Sequence, residues 1–134
     1  MSLPQMDQAF LADRKIEHRV SVEAGMICVL LPGFKLPAGY TVAESDLLLR
    51  LSAGYPDVPP DMWWFDPPVR RGDGAEIACT QVTESHLGRT WQRWSRHLQP
   101  GQWRSGIDSI ESFIALVRTE LARSAPAPSG GRAP

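Results

Sequence analysis

The spacing of apolar residues predicts a helix near each end of the chain. Residues 4–13 carry apolar positions at near-helical spacing, and Pro4 suits a first turn. In residues 105–123 Ser105 and Asp108 have the form of a capping box, so we expect the second helix to begin there. Its apolar positions recur every three or four residues, which is typical of a helix with one buried face: Ile107, Ile110, Phe113, Ile114, Val117 and Leu121.

Between these helices the pattern changes to that of strands. Apolar and polar residues alternate over 16–22, which indicates a half-buried strand, and residues 26–31 are apolar on both faces. Further strands are predicted at 45–51 and 62–65, before a long irregular stretch. The chain is therefore expected to be an α+β domain: an N-terminal helix, an antiparallel meander of about four strands, an irregular segment and a C-terminal helix packed on the sheet.

Length and composition limit the organisation and the class of protein. The 134 residues suit one domain, which we place at 1–123, followed by a flexible tail rich in Pro, Gly, Ser and Ala at 124–134. The longest apolar run, at 26–31, is far shorter than the roughly 20 residues of a membrane helix, so no membrane association is expected. No basic-then-apolar leader opens the given sequence, so a cytoplasmic location with reduced thiols is expected.

One stretch of the chain has an unusual composition. Residues 85–107 hold four Arg, two His and three Trp but no acidic residue, a mixture that can stack on and hold single-stranded nucleic acid. The net charge of the whole chain is −1, and no nucleic-acid-binding module is recognisable, so nucleic acid is only a remote alternative and is not expected as a partner.

Two local motifs and the order of elements resemble the ubiquitin-conjugating enzyme (UBC-like) superfamily. The first motif is the loop Tyr55-Pro56-Asp57-Val58-Pro59-Pro60, which stands where that family links its third and fourth strands. The second is Trp103 just before the last helix. The segment Gly88–His97, which contains Trp91 and Trp94, is similar to the bacterial branch called prokaryotic group E. The resemblance covers about residues 3–123.

The resemblance implies a function and partners. A protein of this kind accepts a ubiquitin-like modifier from an adenylating (activating) enzyme and transfers it to an amine of a target, here unknown. It is a transferase that acts as an acyl carrier. The resemblance implies no metal or organic cofactor, since ATP is used by the activating partner.

The resemblance also assigns site residues. The family carries its catalytic cysteine about eight residues before the tryptophan, and that position is Ser95 in this chain. Ser95 is therefore predicted to hold the modifier as an oxyester, with His97 as the base or acid and Arg96 as the group that stabilises charge. A hydroxyl is a weak nucleophile that needs a nearby base, so the prediction requires an irregular backbone that lets His97 reach Ser95. The family's His-Pro-Asn tripeptide is absent.

Other interpretations remain open. Cys79 ends a stretch similar to the family's Gly-x-Ile-Cys and is the alternative nucleophile, through a thioester. The missing cysteine before Trp103 also fits an inactive adaptor that binds a ubiquitin-like protein without carrying it. Ser95 could equally cap a turn. Trp91, Trp94 and Trp103 are expected to anchor the core, and Tyr55, Pro56, Pro59 and Pro60 to shape the loop. Trp63 and Trp64 face opposite sides of a strand, which places one in the core and leaves the other as a contact surface.

Overall fold

The computed structural model describes residues 2–127. Within them the strands follow one another without intervening helices. A helix comes first, six strands follow, and a second helix closes the domain. In chain order they are α1 (Gln5–Asp13), β1 (Arg19–Glu23), β2 (Met26–Lys35), β3 (Glu44–Leu51), β4 (Trp63–Asp66), β5 (Thr83–His86), β6 (Arg89–Trp94) and α2 (Ile110–Ser124). The α+β class and the presence of a helix near each end are as predicted, but the strand count of about four was wrong.

The extra strands lie inside the stretch predicted to be irregular. All six strands form one antiparallel sheet in the order β1-β2-β3-β4-β6-β5, so β6 pairs with β4 and β5 lies at the edge. The strand β6 was not predicted because four of its six residues are polar. One of them, Gln92, is buried because its side chain binds both backbone groups of Val69, at 2.8 and 3.1 Å, and accepts from Trp94.

The start of α2 also differs from the prediction. The cap is Ser109, whose hydroxyl accepts from the Glu111 N–H at 3.2 Å, while the Ser112 hydroxyl accepts from the Ser109 N–H. Residues 104–108 instead form a turn in which Asp108 accepts from the backbone of Arg104. The predicted start at Ser105 was therefore several residues early, and Ile107 lies outside the buried stripe with 61% of its surface exposed.

The sheet has an interior on each face. Both helices cover one face, where Phe113 of α2 packs edge-on against Trp63 at 5.9 Å. The β5–β6 hairpin curls over the other face and buries a smaller cluster: Cys28, Leu30, Leu48, Trp64 and Trp91. Both tryptophans of β4 are buried, so the expectation that one of them forms a contact surface was wrong.

The predicted boundary between domain and tail, at 123, lies one residue before the end of α2. Helix α2 continues to Ser124, and Pro126 packs so closely on Gly39 that a Cβ there would lie 2.8 Å from the proline ring. The rest of the tail prediction, at 128–134, lies outside the described residues. Within residues 2–127, neither helix is long and apolar enough to cross a bilayer.

Candidate functional site

A tight turn presents the thiol of Cys79 at the surface. Ala78 and Cys79 form the turn, and Cys79 takes the left-handed backbone conformation with φ of 59°. Non-glycine residues rarely adopt this region, and such strain persists where the surrounding structure enforces it. Next to the turn, the buried residue Ile77 accepts from the Thr80 hydroxyl at 2.9 Å and the Gln81 amide at 2.8 Å. Cys79 itself is exposed and unpaired with the other cysteine, Cys28, which is buried.

The two residues predicted as rival nucleophiles are neighbours. Ser95 directly follows β6, and its backbone N–H donates to the carbonyl of Cys79 at 3.0 Å. The preceding bond of the same kind joins the Arg93 N–H to the carbonyl of Val82 at 2.9 Å. The chain from Cys79 to Val82 thus continues the β5 edge alongside the end of β6, and this brings two separate parts of the sequence to one place.

The Ser95 hydroxyl is half-buried and engaged within the protein. It accepts from Nε of Arg93 at 3.0 Å and points its own proton toward the sulfur of Met62 at 3.7 Å. Another nitrogen of the same guanidinium donates to Glu84 at 2.9 Å. Among the described residues no histidine forms a hydrogen bond with this hydroxyl.

The predicted base, His97, has a different partner. Its exposed ring places Nδ1 2.6 Å from Oδ1 of Asp61, which precedes β4. The structure therefore brings Ser95 and His97 to the same end of the β4–β6 pair, but it does not join their side chains. At this end the Met62 N–H donates to the carbonyl of Arg96. Their predicted partnership stays a prediction.

Arg96 ties the Cys79 turn to α2. Its Nε donates to Glu120 of α2 at 2.8 Å, and Nη1 donates to the carbonyl of Ala78 at 2.8 Å. The guanidinium also lies over the Trp94 ring, 5.1 Å from its centre. Both charged side chains are less than a fifth exposed. Sequence reasoning missed Glu120, because a single acidic residue on the polar side of a helix carries no signal of a distant partner.

An open groove of about 430 Å³ runs beside the turn. Ile77, Thr80 and Gln81 form the side next to Cys79, and Arg70 and Arg71 lie among its other walls. Arg71 pairs with Asp73 at 2.5 Å, and that hydrogen bond lowers the pKa of the Asp73 carboxyl. The walls of the groove thus combine apolar surface with charges of both signs, since Glu76 also lines it.

The motif residues form the frame around the site. Trp91 and Trp94 are fully buried, one in each interior. The Trp103 indole donates to the carbonyl of Pro56 at 2.8 Å and packs at 6.1 Å against Tyr55, so the two sequence motifs are in direct contact. Pro60 is buried, whereas Pro59 is exposed and lines a second groove, of about 390 Å³, with Trp103 and Leu98.

The donor set of the site does not resemble a metal centre. Within the described residues, His, Cys, Asp and Glu side chains form no group of three or more that could hold a metal ion. The chemistry available at the turn is that of a thiol, a hydroxyl and two arginines.

Comparison with known proteins gives one match. The sequence model of prokaryotic E2 family E matches residues 3–124, which is nearly the whole chain. No curated protein matches the sequence, and no solved structure matches the fold.

Proposed function

Because the chain belongs to prokaryotic E2 family E, we propose that it carries a bacterial ubiquitin-like protein from an adenylating enzyme to an amine of a target. The carrier nucleophile attacks the activated C-terminal carbonyl of the modifier and displaces the activating enzyme. The target amine then attacks the same carbonyl, forms an amide and releases the nucleophile. A thiolate suits both steps, since it attacks well near neutral pH and leaves well.

The observation that carries the proposal is the presentation of Cys79. Its thiol is exposed on a left-handed turn that is held from both sides, by the Ser95 N–H and by Arg96. The Ser95 hydroxyl is half-buried and already bonded to Arg93. This contrast favours a Cys79 thioester over the Ser95 oxyester that the spacing to Trp103 predicts.

The serine remains the alternative carrier at the same place. Arg93 would then lie 3.0 Å from the reacting oxygen, where a cation favours an alkoxide and a developing oxyanion. His97 would have to leave Asp61 to act as the base. In this version Arg93 takes the charge-stabilising role that the sequence assigned to Arg96, since Arg96 is paired with Glu120.

The groove beside the turn suits the C-terminal tail of the modifier. An extended tail must reach the nucleophile with its last carbonyl, and Ile77 and Thr80 border both the groove and the turn. Arg71 is held by Asp73 and Glu76 also lines the groove, so Arg70 is the group in its walls that would attract a carboxylate of the bound chain.

The direct test is adduct formation. The chain is incubated with a ubiquitin-like protein and an adenylating enzyme of the same organism, with ATP, and the products are separated by mass. We expect an adduct that thiol reductant cleaves and that Cys79→Ala abolishes, while Ser95→Ala retains it. Circular dichroism of both variants confirms that they fold.

Other outcomes separate the alternatives. An adduct that resists reductant, breaks in mild base and disappears in Ser95→Ala assigns the role to the serine and contradicts the thioester. The absence of any adduct, with tight binding of the modifier retained, contradicts the carrier function and favours the adaptor. The missing cysteine eight residues before Trp103 is consistent with that adaptor role.

A further inference from the structure

Strand β1 leaves one edge of the sheet open. It pairs only with β2 and lies first in the sheet order. Four of its five residues are exposed, including Val20 at 43% and Val22 at 52%. Native edge strands are protected from further pairing by charged side chains (lysine above all), proline or a bulge. Arg19–Glu23 contains no lysine or proline, its register with β2 is unbroken, and its two charged residues stand only at its ends.

The turn between β1 and β2 decides which backbone groups face the open edge. Ala24 and Gly25 form a two-residue turn with φ of 53° and 76°, and the flanking pair is Glu23 and Met26. In such hairpins the flanking pair is hydrogen-bonded, and bonded pairs then alternate along the ladder. Ser21 is therefore bonded to β2, whereas the N–H and C=O groups of Val20 and Val22 point outward.

The sequence of this edge is complementary to itself. If two copies pair antiparallel about a twofold axis at Ser21, Arg19 of each lies opposite Glu23 of the other, and Val20 lies opposite Val22. The valines of the two copies then exchange four backbone hydrogen bonds, and the outward groups identified above are the ones required. Within its own chain Glu23 accepts from the Leu87 N–H through Oε2 at 2.9 Å, whereas Oε1 has only longer contacts, 3.7 Å to His86 and 3.9 Å to Arg50, so the pair with Arg19 of the other copy uses Oε1. A shift of the register by two residues removes both Arg–Glu pairs, so charge selects this alignment.

We propose that this edge binds a second copy of the same chain, with β1 pairing to β1 across a twofold axis. The six-stranded sheet then continues from one copy into the other. The four valines form one apolar strip on the face that carries their β2 partners, Ile27 and Val29. A five-residue edge buries less than a standard interface, so the dimer is weak and forms reversibly as the concentration rises. The inference does not depend on the carrier function.

Sedimentation equilibrium tests the assembly. We expect the wild-type chain to shift from monomer to dimer mass between about 10 μM and about 1 mM. Arg19→Glu creates two Glu–Glu contacts per dimer and should keep the chain monomeric over that range. The charge-matched control Arg70→Glu, at an exposed residue away from β1, should dimerise like the wild type.

A covalent test fixes the register and does not alter the charges. In the antiparallel alignment Ser21 faces its own copy in a pair without hydrogen bonds, with Cα atoms about 4.5 Å apart, within the range of a disulfide. In a Cys79→Ser background, Ser21→Cys should form a disulfide-linked dimer faster than Ala12→Cys, an exposed control on α1. Monomer mass throughout, or equal cross-linking of the two cysteines, overturns the proposal. Dimerisation that Arg19→Glu leaves intact also overturns it, because the interface then lies elsewhere.

Discussion

At the scale of single residues, burial and neighbouring charge determine how the ionisable side chains Asp7 and Tyr55 behave. Asp7 of α1 is almost fully buried, and its Oδ1 accepts from the N–H of Ile110 at 2.9 Å. The carboxylate thus lies at the positive end of α2, where the helix dipole favours an anion. Tyr55 lies close to it, and both burial and the negative charge of Asp7 raise the pKa of the phenol.

The two tyrosines of the chain give a testable titration. Burial raises the pKa of Tyr40, whose hydroxyl donates to the carbonyl of Leu121, to about 12, and Tyr55 is raised as well. We expect the native chain to show almost no tyrosinate absorbance near pH 10, where the tyrosines of the chain in concentrated urea are about half ionised. Because the folded pKa of Tyr40 is raised, the stability from its neutral phenol is fully present below pH 10 and is lost as the pH rises through about 12.

Absorbance at 295 nm measures this titration. Tyr40→Phe is the matched control, since it leaves only the more strongly shifted Tyr55. Circular dichroism at each pH separates ionisation from unfolding. A native titration midpoint near 10 would show that the phenols are hydrated and would contradict the structure.

The candidate nucleophiles show where residue-level prediction stops. Ser95 was found from its spacing to Trp103, and Cys79 from a local likeness. Nothing in the sequence indicated that they are bonded to each other through the backbone, because that contact depends on a hairpin that was not predicted. Likewise, the sequence did not indicate that Arg93 contacts the Ser95 hydroxyl, or that Glu120 pairs with Arg96 from 24 residues away.

At the scale of elements, Arg96 is the link between α2 and the turn. A planar guanidinium can donate to the Glu120 carboxylate and the Ala78 carbonyl at once, whereas a lysine ammonium is a single point charge. We predict that Arg96→Lys loosens the turn and speeds hydrogen exchange of the Ser95 amide about tenfold or more, since a charge-assisted hydrogen bond contributes about 1.5–3 kcal/mol.

Exchange measured by NMR checks this prediction. Arg104→Lys is the control, because the side chain of that arginine is 68% exposed and forms its ion pair with Asp108, four residues along the chain. The exchange of Ser95 should be unchanged in the control, and amides in the middle of β3 should be unchanged in both variants. Equal exchange of Ser95 in the wild type and Arg96→Lys would mean that the salt bridge does not hold the turn.

The elements differed in how well the sequence revealed them. The helix α1 and strands β2 and β3 each begin within a residue of their predicted start. The hairpin β5–β6 was missed because β5 (Thr83–His86) contains no apolar residue, and because β6 buries the polar Gln92 next to Trp91, so neither strand alternates between apolar and polar residues. The start of α2 was misplaced because Ser105 and Ser109 both precede an acidic residue.

At the scale of the whole molecule, a polar network joins the hairpin to the rest of the sheet. Glu84 accepts from Trp64 of β4 and Arg93 of β6, and His86 lies 3.0 Å from the same carboxylate. Beyond them, Glu23 of β1 accepts from the backbone of Leu87 and lies near Arg50 and His86. The β1–β2 turn and the β5–β6 turn therefore meet on the face of the sheet that the helices leave uncovered.

This network predicts a specific loss of stability in acid. Burial raises the pKa of the Glu84 carboxyl, but the hydrogen bonds from His86, Trp64 and Arg93 outweigh it, so the pKa lies below its ordinary value of 4.5. The stabilisation is therefore present above pH 4.5 and is lost as the pH falls below it through the folded pKa.

Urea unfolding followed by tryptophan fluorescence tests the network. Glu84→Gln should be less stable than the wild type at pH 7, and this difference should shrink as the pH falls below 4.5 through the folded pKa of Glu84, because the wild-type carboxyl then also loses its charge. Glu17→Gln, at an exposed position, should show no such convergence. A difference between wild type and Glu84→Gln that does not change with pH would mean that the charge of Glu84 is not what holds the hairpin.

Covering both faces of one sheet has a consequence for how the sequence can vary. Leu47, Leu48 and Leu49 are consecutive and all fully buried, because alternate side chains enter different interiors. A polar replacement at any of them meets an apolar environment whichever way it points. Mutational tolerance should therefore be lowest in β2, β3 and β4 and should rise sharply toward β1 and the loops.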